Sequence, residues 1–252
     1  MGMIRLQNVS KRFYLHRKRE LLAQSAWRRF RGLGDAFWAL DDVSFEVGVG
    51  EKVGIIGHNG AGKSTLLSII AGVMAPTSGT VECNGRVSAM LELGTGFHPD
   101  LTGRENIHLN ASLLGLRRRQ VEEREPSILE FSGVESFADE PLRTYSSGMV
   151  ARLGFAVAVH VEPEILVLDE VLAVGDAAFR EKCEIKVAEL VSGGTTLLLV
   201  SHSLPAITAN CSRVIWLDGG HVKMDAPTES VVEAYHSASD LTGPKTAVST
   251  AR

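Results

Sequence analysis

The sequence predicts an α/β protein in which a largely parallel sheet carries an inserted helical block, and three patterns support this prediction. Short apolar runs at residues 52–57, 164–170 and 195–202 have the length and composition of strands covered on both faces. Segments with an apolar period of three to four residues alternate with these runs. Residues 103–160 hold three such segments in succession. We therefore expect an α/β core with a helical subdomain at about residues 95–160.

The remaining elements follow in chain order. Residues 3–8 and 43–47 have the pattern of strands, and residues 79–87 read as a hairpin that turns at Asn84-Gly85. Residues 213–222 read as a closing hairpin with a Gly-Gly turn, and residues 228–238 as a terminal helix. The tail from Ser239 to Arg252 is rich in Ser, Thr and Ala, which is typical of a flexible end. We expect one domain at residues 1–238 and a flexible tail at residues 239–252.

Composition excludes several classes of protein. The net charge of −4 argues against a general nucleic-acid binder, because affinity for phosphate backbones needs a positive excess. Three scattered cysteines, Cys83, Cys183 and Cys211, have no metal-ligand spacing and fit a reducing compartment. No signal peptide is visible, and the apolar runs are too short to span a membrane. The sequence thus predicts a protein that is soluble, or peripheral to a membrane through a partner.

A phosphate-binding loop is the clearest chemical signal in the chain. Residues 57–65 follow a predicted strand, open a predicted helix and match G-x-x-x-x-G-K-[ST]. Glycines let the backbone N–H groups form an anion nest at the positive end of a helix. The Lys63 ammonium can reach the β and γ phosphates, and the Ser64 hydroxyl can ligate Mg²⁺. The predicted nucleotide-binding residues here are Gly57, His58, Asn59, Gly60, Ala61, Gly62, Lys63, Ser64 and Thr65.

Two further strands end in residues that suit phosphate chemistry. Asp169 and Glu170 end the run at 164–170, and His202 ends the run at 195–202. Asp169 can hold the Mg²⁺ shell, and Glu170 can polarise a water for in-line attack on the γ phosphate. His202 can position that phosphate or the water. Each signal is weak alone, since acids and histidines are common after strands, and becomes informative only beside a phosphate-binding loop.

Together with Tyr145-Ser146-Ser147-Gly148-Met149 before a helix, these motifs resemble the ATP-binding cassette (ABC) ATPases over about residues 3–236. The family usually has Leu-Ser-Gly-Gly-Gln at that place, with an Arg that Arg152 matches. The resemblance implies an ABC nucleotide-binding domain with a mixed-sheet core, an antiparallel β subdomain and a helical subdomain. It also implies that the stretch from Ser146 to Met149 binds ATP held on a second subunit's loop, which makes a homodimer with composite sites.

The resemblance implies roles for other residues as well. An aromatic side chain just after the first strand would stack on adenine, with Phe13 the first candidate and Tyr14 the second; either could instead pack on the core. Residues 81–119 contain no Gln, so Glu92 is the candidate in place of the family's Gln, where it would contact Mg²⁺ or its water. Gly175-Asp176 stand in a loop that serves the dimer contact in the family.

The sequences of four segments resemble those of the ATP-binding subunits of polysaccharide exporters. These segments are residues 37–47, 91–106, 145–149 and 168–179. Such subunits drive O-antigen, capsular polysaccharide or teichoic acid across the cytoplasmic membrane, from its inner face, through integral-membrane permease subunits. The resemblance leaves the exported glycan open, because the ATPase does not line the membrane path. It also leaves open whether a carbohydrate-binding domain follows the cassette.

Residues 11–36 are an insertion relative to a compact cassette. Eight Lys or Arg residues and a single acid, Glu20, stand between Lys11 and Arg31. The apolar residues fall on one face of a predicted helix at about residues 15–36, namely Leu22, Ala26, Trp27, Phe30 and Leu33. That face either packs on the domain itself or lies at the membrane, against the permease or lipid headgroups.

Other functions compete with transport. A soluble cassette ATPase acting on ribosomes or DNA usually has two cassettes or a long coiled coil, and neither is evident here. An ATPase of another transporter class would share the motifs at residues 57–65 and 169–170. A P-loop kinase would explain residues 57–65 but not the Ser146 stretch or His202.

Overall fold

The computed structural model describes residues 3–14, 36–90, 94, 96–169, 175–201 and 203–241. Its strands form two sheets. A three-stranded antiparallel sheet has the order β2-β1-β4, with β1 at Met3–Tyr14, β2 at Ala36–Val47 and β4 at Ser78–Asn84. The second sheet is six-stranded, with the order β5-β6-β7-β3-β8-β9. Its strands are β3 (Lys52–Ile56), β5 (Val87–Met90), β6 (Ile165–Asp169), β7 (Thr196–Val200), β8 (Arg213–Asp218) and β9 (His221–Pro227).

The second sheet is mixed. Its pairs are parallel except β8–β9, which are antiparallel and joined by Gly219-Gly220. Both glycines have positive φ, which a tight hairpin turn requires, so the predicted closing hairpin is confirmed. The parallel strands β3, β6 and β7 are buried along almost their whole length, as their unbroken apolar runs predict.

Helices surround this sheet and form the helical subdomain. The segments are α1 (Lys63–Ile70), α2 (Gly103–Leu113), α3 (Arg118–Ser132), α4 (Ser147–His160), α5 (Ala177–Ser192), α6 (Leu204–Asn210) and α7 (Thr228–Leu241). Helices α2, α3 and α4 pack on one another around a separate core that includes Ile107, Ile128 and Leu153. Helix α1 packs between the two sheets through Leu66, Leu67 and Ile70. The predicted inserted helical block is therefore present, and none of the described helices is long and apolar enough to span a bilayer.

Three predicted boundaries differ from the structure. Residues 79–87 are not a hairpin: β4 pairs with β1 in one sheet, whereas β5 runs parallel to β6 in the other. The Asn84-Gly85 turn therefore passes the chain between sheets, because the apolar side chains of Val87–Met90 are buried beside β6. The first two strands are longer than predicted, because they stay paired out to Tyr14 and Ala36. Helix α7 continues to Leu241, past the predicted start of the tail at Ser239.

Candidate functional site

The loop between β3 and α1 has a backbone that only glycine can adopt at several positions. Gly57, Gly60 and Gly62 all have positive φ. A Cβ on Gly57 would lie 2.3 Å from the Leu217 carbonyl oxygen, and a Cβ on Gly62 would lie 2.4 Å from that of Ala39. No side chain caps the N-terminus of α1, unlike those of α2, α4 and α5. The N-terminus of α1, with its partial positive charge, thus suits an anion.

Lys63, the first residue of α1, folds back over this loop. It is only 7% exposed, and its ammonium donates to the carbonyl oxygens of Gly57, at 2.7 Å, and His58, at 3.1 Å. A buried ammonium held at the rim of an anion nest is placed to neutralise phosphate charge. In the same loop Ala61 is buried, whereas His58, Asn59, Gly60 and Ser64 are exposed, and Thr65 is half-buried. The structure therefore brings the predicted loop residues together at one helix end.

The β8–β9 turn contacts the same loop, and this contact was not predicted from the sequence. The Gly220 N–H donates to the Ala61 carbonyl at 3.2 Å, and His58 Nε2 lies 3.0 Å from an Asp218 oxygen. His58 Nδ1 is 2.7 Å from the Asn59 carbonyl, so the ring lies between a backbone acceptor and the Asp218 carboxylate. A hydrogen bond from Lys223 and its charge hold the pKa of Asp218 below its usual range, with a smaller contribution from His58.

Strand register brings Asp169 to the edge of the sheet where the loop begins. Asp169 pairs with Val200 of β7, and Val200 pairs with Ile55 of β3, two residues before Gly57. A cavity of about 570 Å³ opens at this edge, and both Ser64 and Asp169 line it. A hydroxyl and a carboxylate on one cavity suit Mg²⁺, which takes few protein ligands beside phosphates and water. Among the described residues no group of three or more His, Cys, Asp or Glu forms a self-sufficient metal site.

The Ser146 stretch forms the N-terminus of α4. The Ser146 hydroxyl caps the helix by accepting from the Met149 N–H at 3.2 Å. Ser146 and Ser147 are exposed, and Gly148 and Met149 are half-buried. Tyr145, by contrast, is 8% exposed and packs inside the helical subdomain. The stretch is therefore a helix cap whose polar residues face outward, where another molecule can reach them.

An ion pair joins this helix to the segment after β6. Arg152 lies 2.6 Å from Asp176 and stacks on the Phe179 ring at 5.2 Å. Asp176 also caps α5 by accepting from the Phe179 N–H, and that hydrogen bond is the main cause of its lowered pKa. The predicted dimer role of Gly175-Asp176 stays a prediction, but Asp176 has a partner within its own chain.

The predicted adenine platform lies at the end of the β1–β2 pair. Phe13 and Tyr14 are the last residues of β1 rather than residues after it, and they are 37% and 58% exposed. Phe37 and Trp38, which pair with Phe13 and Arg12, are exposed as well. The Arg12 guanidinium lies between the Tyr14 and Trp38 rings, at 4.8 and 5.3 Å. None of these four rings therefore packs in the core. Trp38 joins the candidates for stacking on adenine, and the Phe37-Trp38 dipeptide could have suggested this role from the sequence.

Several predicted residues lie outside the described part of the chain. These are Glu92, Glu170, His202 and the helix predicted at about residues 15–36, of which only Ala36 is described. In the sequence, Glu170 follows Asp169, and His202 stands two residues after Val200. Their roles stay predictions.

A protein-family model described as "ABC transporter" matches residues 40–173, just over half of the chain. The O-antigen export system ATP-binding protein RfbB of Klebsiella pneumoniae is 54% identical over 205 residues, which cover 81% of this chain and 83% of that protein. The teichoic acids export ATP-binding protein TagH of Listeria innocua serovar 6a is 41% identical over 232 residues, covering 92% and 69%. RfbB of Myxococcus xanthus is 44% identical over 249 residues, and this chain spans only 57% of its length.

Solved structures agree with the fold. The structure of an ATP-binding subunit of an ABC transporter matches with a TM-score of 0.72 at 24% identity, covering 93% of each chain. The dimeric, post-hydrolysis state of the ATP-binding cassette MJ0796 bound to ADP and Pi matches with a TM-score of 0.70 at 23% identity, covering 89% of this chain and 98% of that one. The family match and the identity to the export proteins lead to one conclusion: the chain belongs to the ABC transporter family.

Proposed function

We propose that the chain is the ATP-hydrolysing subunit of an exporter that moves a polysaccharide of O-antigen, capsular or teichoic-acid type across the cytoplasmic membrane. The loop at residues 57–65, with Lys63 at its rim and Asp169 on the neighbouring cavity, supports the ATPase part and carries most weight. The 54% identity to an O-antigen export protein supports the transported class. Relatives named for teichoic acid export support the same branch.

The roles of individual residues follow from their positions. The N–H groups of residues 57–65 and the Lys63 ammonium would hold the phosphates, and Phe13, Tyr14 or Trp38 would stack on the adenine. Ser64 and Asp169 would hold Mg²⁺, which neutralises developing phosphate charge when bound. Glu170 would accept a proton from the attacking water, and His202 would orient the γ phosphate. Glu92 would stand near Mg²⁺ or its water.

The active assembly in this proposal is a homodimer. Ser146, Ser147 and the Gly148 N–H are at an outward-facing helix end and would bind the γ phosphate of the partner's ATP. The solved cassette MJ0796 is dimeric, which supports the arrangement. The dimer would close on ATP and open after hydrolysis, and these movements would drive the conformational change of the membrane partner.

The groove between α1 and the helical subdomain is the place where we expect the permease to bind. This groove is part of the cavity that Ser64 and Asp169 also line, and its other lining residues include Phe97, and Val73 and Leu113, which are 74% and 70% exposed. The nucleotide and the permease would therefore occupy different parts of one cavity. Large exposed apolar side chains beside a groove are typical of protein interfaces. The basic segment at about residues 15–36 would add contacts to the permease or to anionic headgroups, at the cytoplasmic face of the inner membrane.

The test is a Lys63→Ala exchange in the host cell, with the tagged parent as reference. We expect the parent to co-purify with a multi-span membrane protein, and the variant to leave the glycan inside the cell. Thr65→Ser, which keeps a hydroxyl, is the matched control and should retain export. Unchanged surface glycan in the Lys63→Ala strain, or co-purification with ribosomes instead of membranes, would contradict the proposal.

A further inference from the structure

The segment that leads into the Ser146 cap is fastened to the start of α2. The two segments run antiparallel, with Leu142 N–H donating to the Leu101 carbonyl and Arg143 N–H to the Pro99 carbonyl, both at 2.9 Å. On the other side of this ladder, Arg104 N–H donates to the Ala138 carbonyl at 2.9 Å. These backbone hydrogen bonds hold residues 138–143 against the start of α2.

Tyr145 completes the connection with a side chain. Its hydroxyl donates to the Phe137 carbonyl at 2.6 Å, and its ring meets the Phe137 ring edge-on at 6.2 Å. The hydroxyl also sits directly over Gly103, where a Cβ would lie only 2.2 Å from it. Burial, together with the charges of Asp139 and Glu140, raises the pKa of Tyr145, which keeps the hydroxyl protonated as a donor.

The two ends of α2 therefore face different parts of the molecule. Its first residue, Gly103, supports Tyr145, and its last turn supplies Asn110 and Leu113 to the groove beside α1. Tyr145 is followed at once by Ser146, whose side chain caps α4. Helix α2 thus runs from the groove to Tyr145, the residue before the cap.

From this geometry we infer that Tyr145 is a positioning residue: it sets the Ser146 cap against α2, so that the position of α2 in the groove governs how the cap meets the partner's ATP. The inference rests on the proposed homodimeric ATPase and adds a residue to it. The family's usual Leu at this place has no hydroxyl, so it could not form the bond to Phe137. Tyrosine at 145 and glycine at 103 are a matched pair in this chain.

The experiment measures ATP-dependent dimerisation in a Glu170→Gln background, and separately the ATP affinity of the monomer. Tyr145→Phe keeps the ring and removes the hydroxyl. This variant should leave the monomer's affinity for ATP unchanged, because the loop at residues 57–65 lies outside the helical subdomain that contains Tyr145. It should weaken dimerisation about 3- to 30-fold, the range for residues that couple two sites. Tyr235→Phe, a tyrosine on α7 that packs on Trp216, is the matched control and should dimerise like the parent.

Gly103→Ala supplies the second arm, because its Cβ pushes on the hydroxyl. In the double variant the nearest ring carbon would be 3.2 Å from that Cβ, so Tyr145→Phe should restore part of what Gly103→Ala loses.

A merely structural role would lower thermal stability and leave the dimerisation of folded protein unchanged. Parent-like dimerisation of Tyr145→Phe would overturn this inference alone. A Glu170→Gln parent that never dimerises with ATP would overturn the proposed function and this inference together. If Gly103→Ala does not fold, Tyr145→Phe decides.

Discussion

Replacing Gly62 by alanine should cost the protein both stability and affinity for ATP. Gly62 has a φ of 105°, and a Cβ there would lie 2.4 Å from the Ala39 carbonyl oxygen and 2.8 Å from a Leu40 methyl group. The left-handed backbone alone costs an alanine roughly 1–2 kcal/mol, and forcing strand β2 away adds about 1–3 kcal/mol, the usual range for overpacking. We therefore expect the free energy of unfolding to fall by about 2–5 kcal/mol.

Gly72→Ala is the matched control for this experiment. Gly72 also has a positive φ, 72°, but nothing lies within 4 Å of its Cβ position, so only the backbone cost of roughly 1–2 kcal/mol applies. Denaturant unfolding gives the stability of both variants, and titration with a fluorescent ATP analogue gives their affinity. Gly62→Ala should lose affinity because the N–H groups around it move, whereas Gly72→Ala should keep it. Equal destabilisation by the two variants, or parent-like affinity in Gly62→Ala, would refute the reasoning.

Three further predictions concern other parts of the molecule. Asp218 has a lowered pKa, so its contribution to stability is present above the unfolded value of about 3.9 and is lost as the pH falls through the folded value; Asp218→Asn should therefore differ from the parent in denaturant midpoint at pH 7 and converge with it in acid. Burial raises the pKa of Cys183 and of Cys211 to about 12, so alkylation at pH 8, followed by mass spectrometry, should modify the partly exposed Cys83 first and reach the other two only after unfolding. Reversing Arg28, Arg29 and Arg31 to Glu should weaken recruitment to permease-containing membranes and spare ATP binding by the purified subunit, and equal recruitment in a membrane flotation assay would contradict that role.

The sequence predicted those parts of the fold and site whose signals are local. The loop at residues 57–65, the buried strand that ends at Asp169 and the Gly219-Gly220 turn each follow from a few neighbouring residues, and the structure has all three. The Ser146 cap also follows from a short pattern. These features were predictable because backbone conformation, capping and burial act within one or two turns of chain.

The features that escaped prediction depend on distant residues. The Asn84-Gly85 turn looks like a hairpin locally, but the sheet that each flanking strand joins is decided by β1 and β6. The pairs His58–Asp218 and Tyr145–Gly103 join positions that are far apart in sequence, and no periodicity links them. A single sequence contains no record of which side chain fills the space above a particular glycine.

The central claim, that each ATP lies between the loop of one subunit and the Ser146 cap of its partner, has a direct test. Lys63→Ala and Ser146→Arg should each abolish ATP-dependent dimerisation when present in both subunits. A mixed dimer contains one site with two damaged halves and one site with two intact halves, so mixing the variants should restore dimers that hold one ATP each. A mixture that forms no more ATP-dependent dimer than either variant alone would contradict the claim.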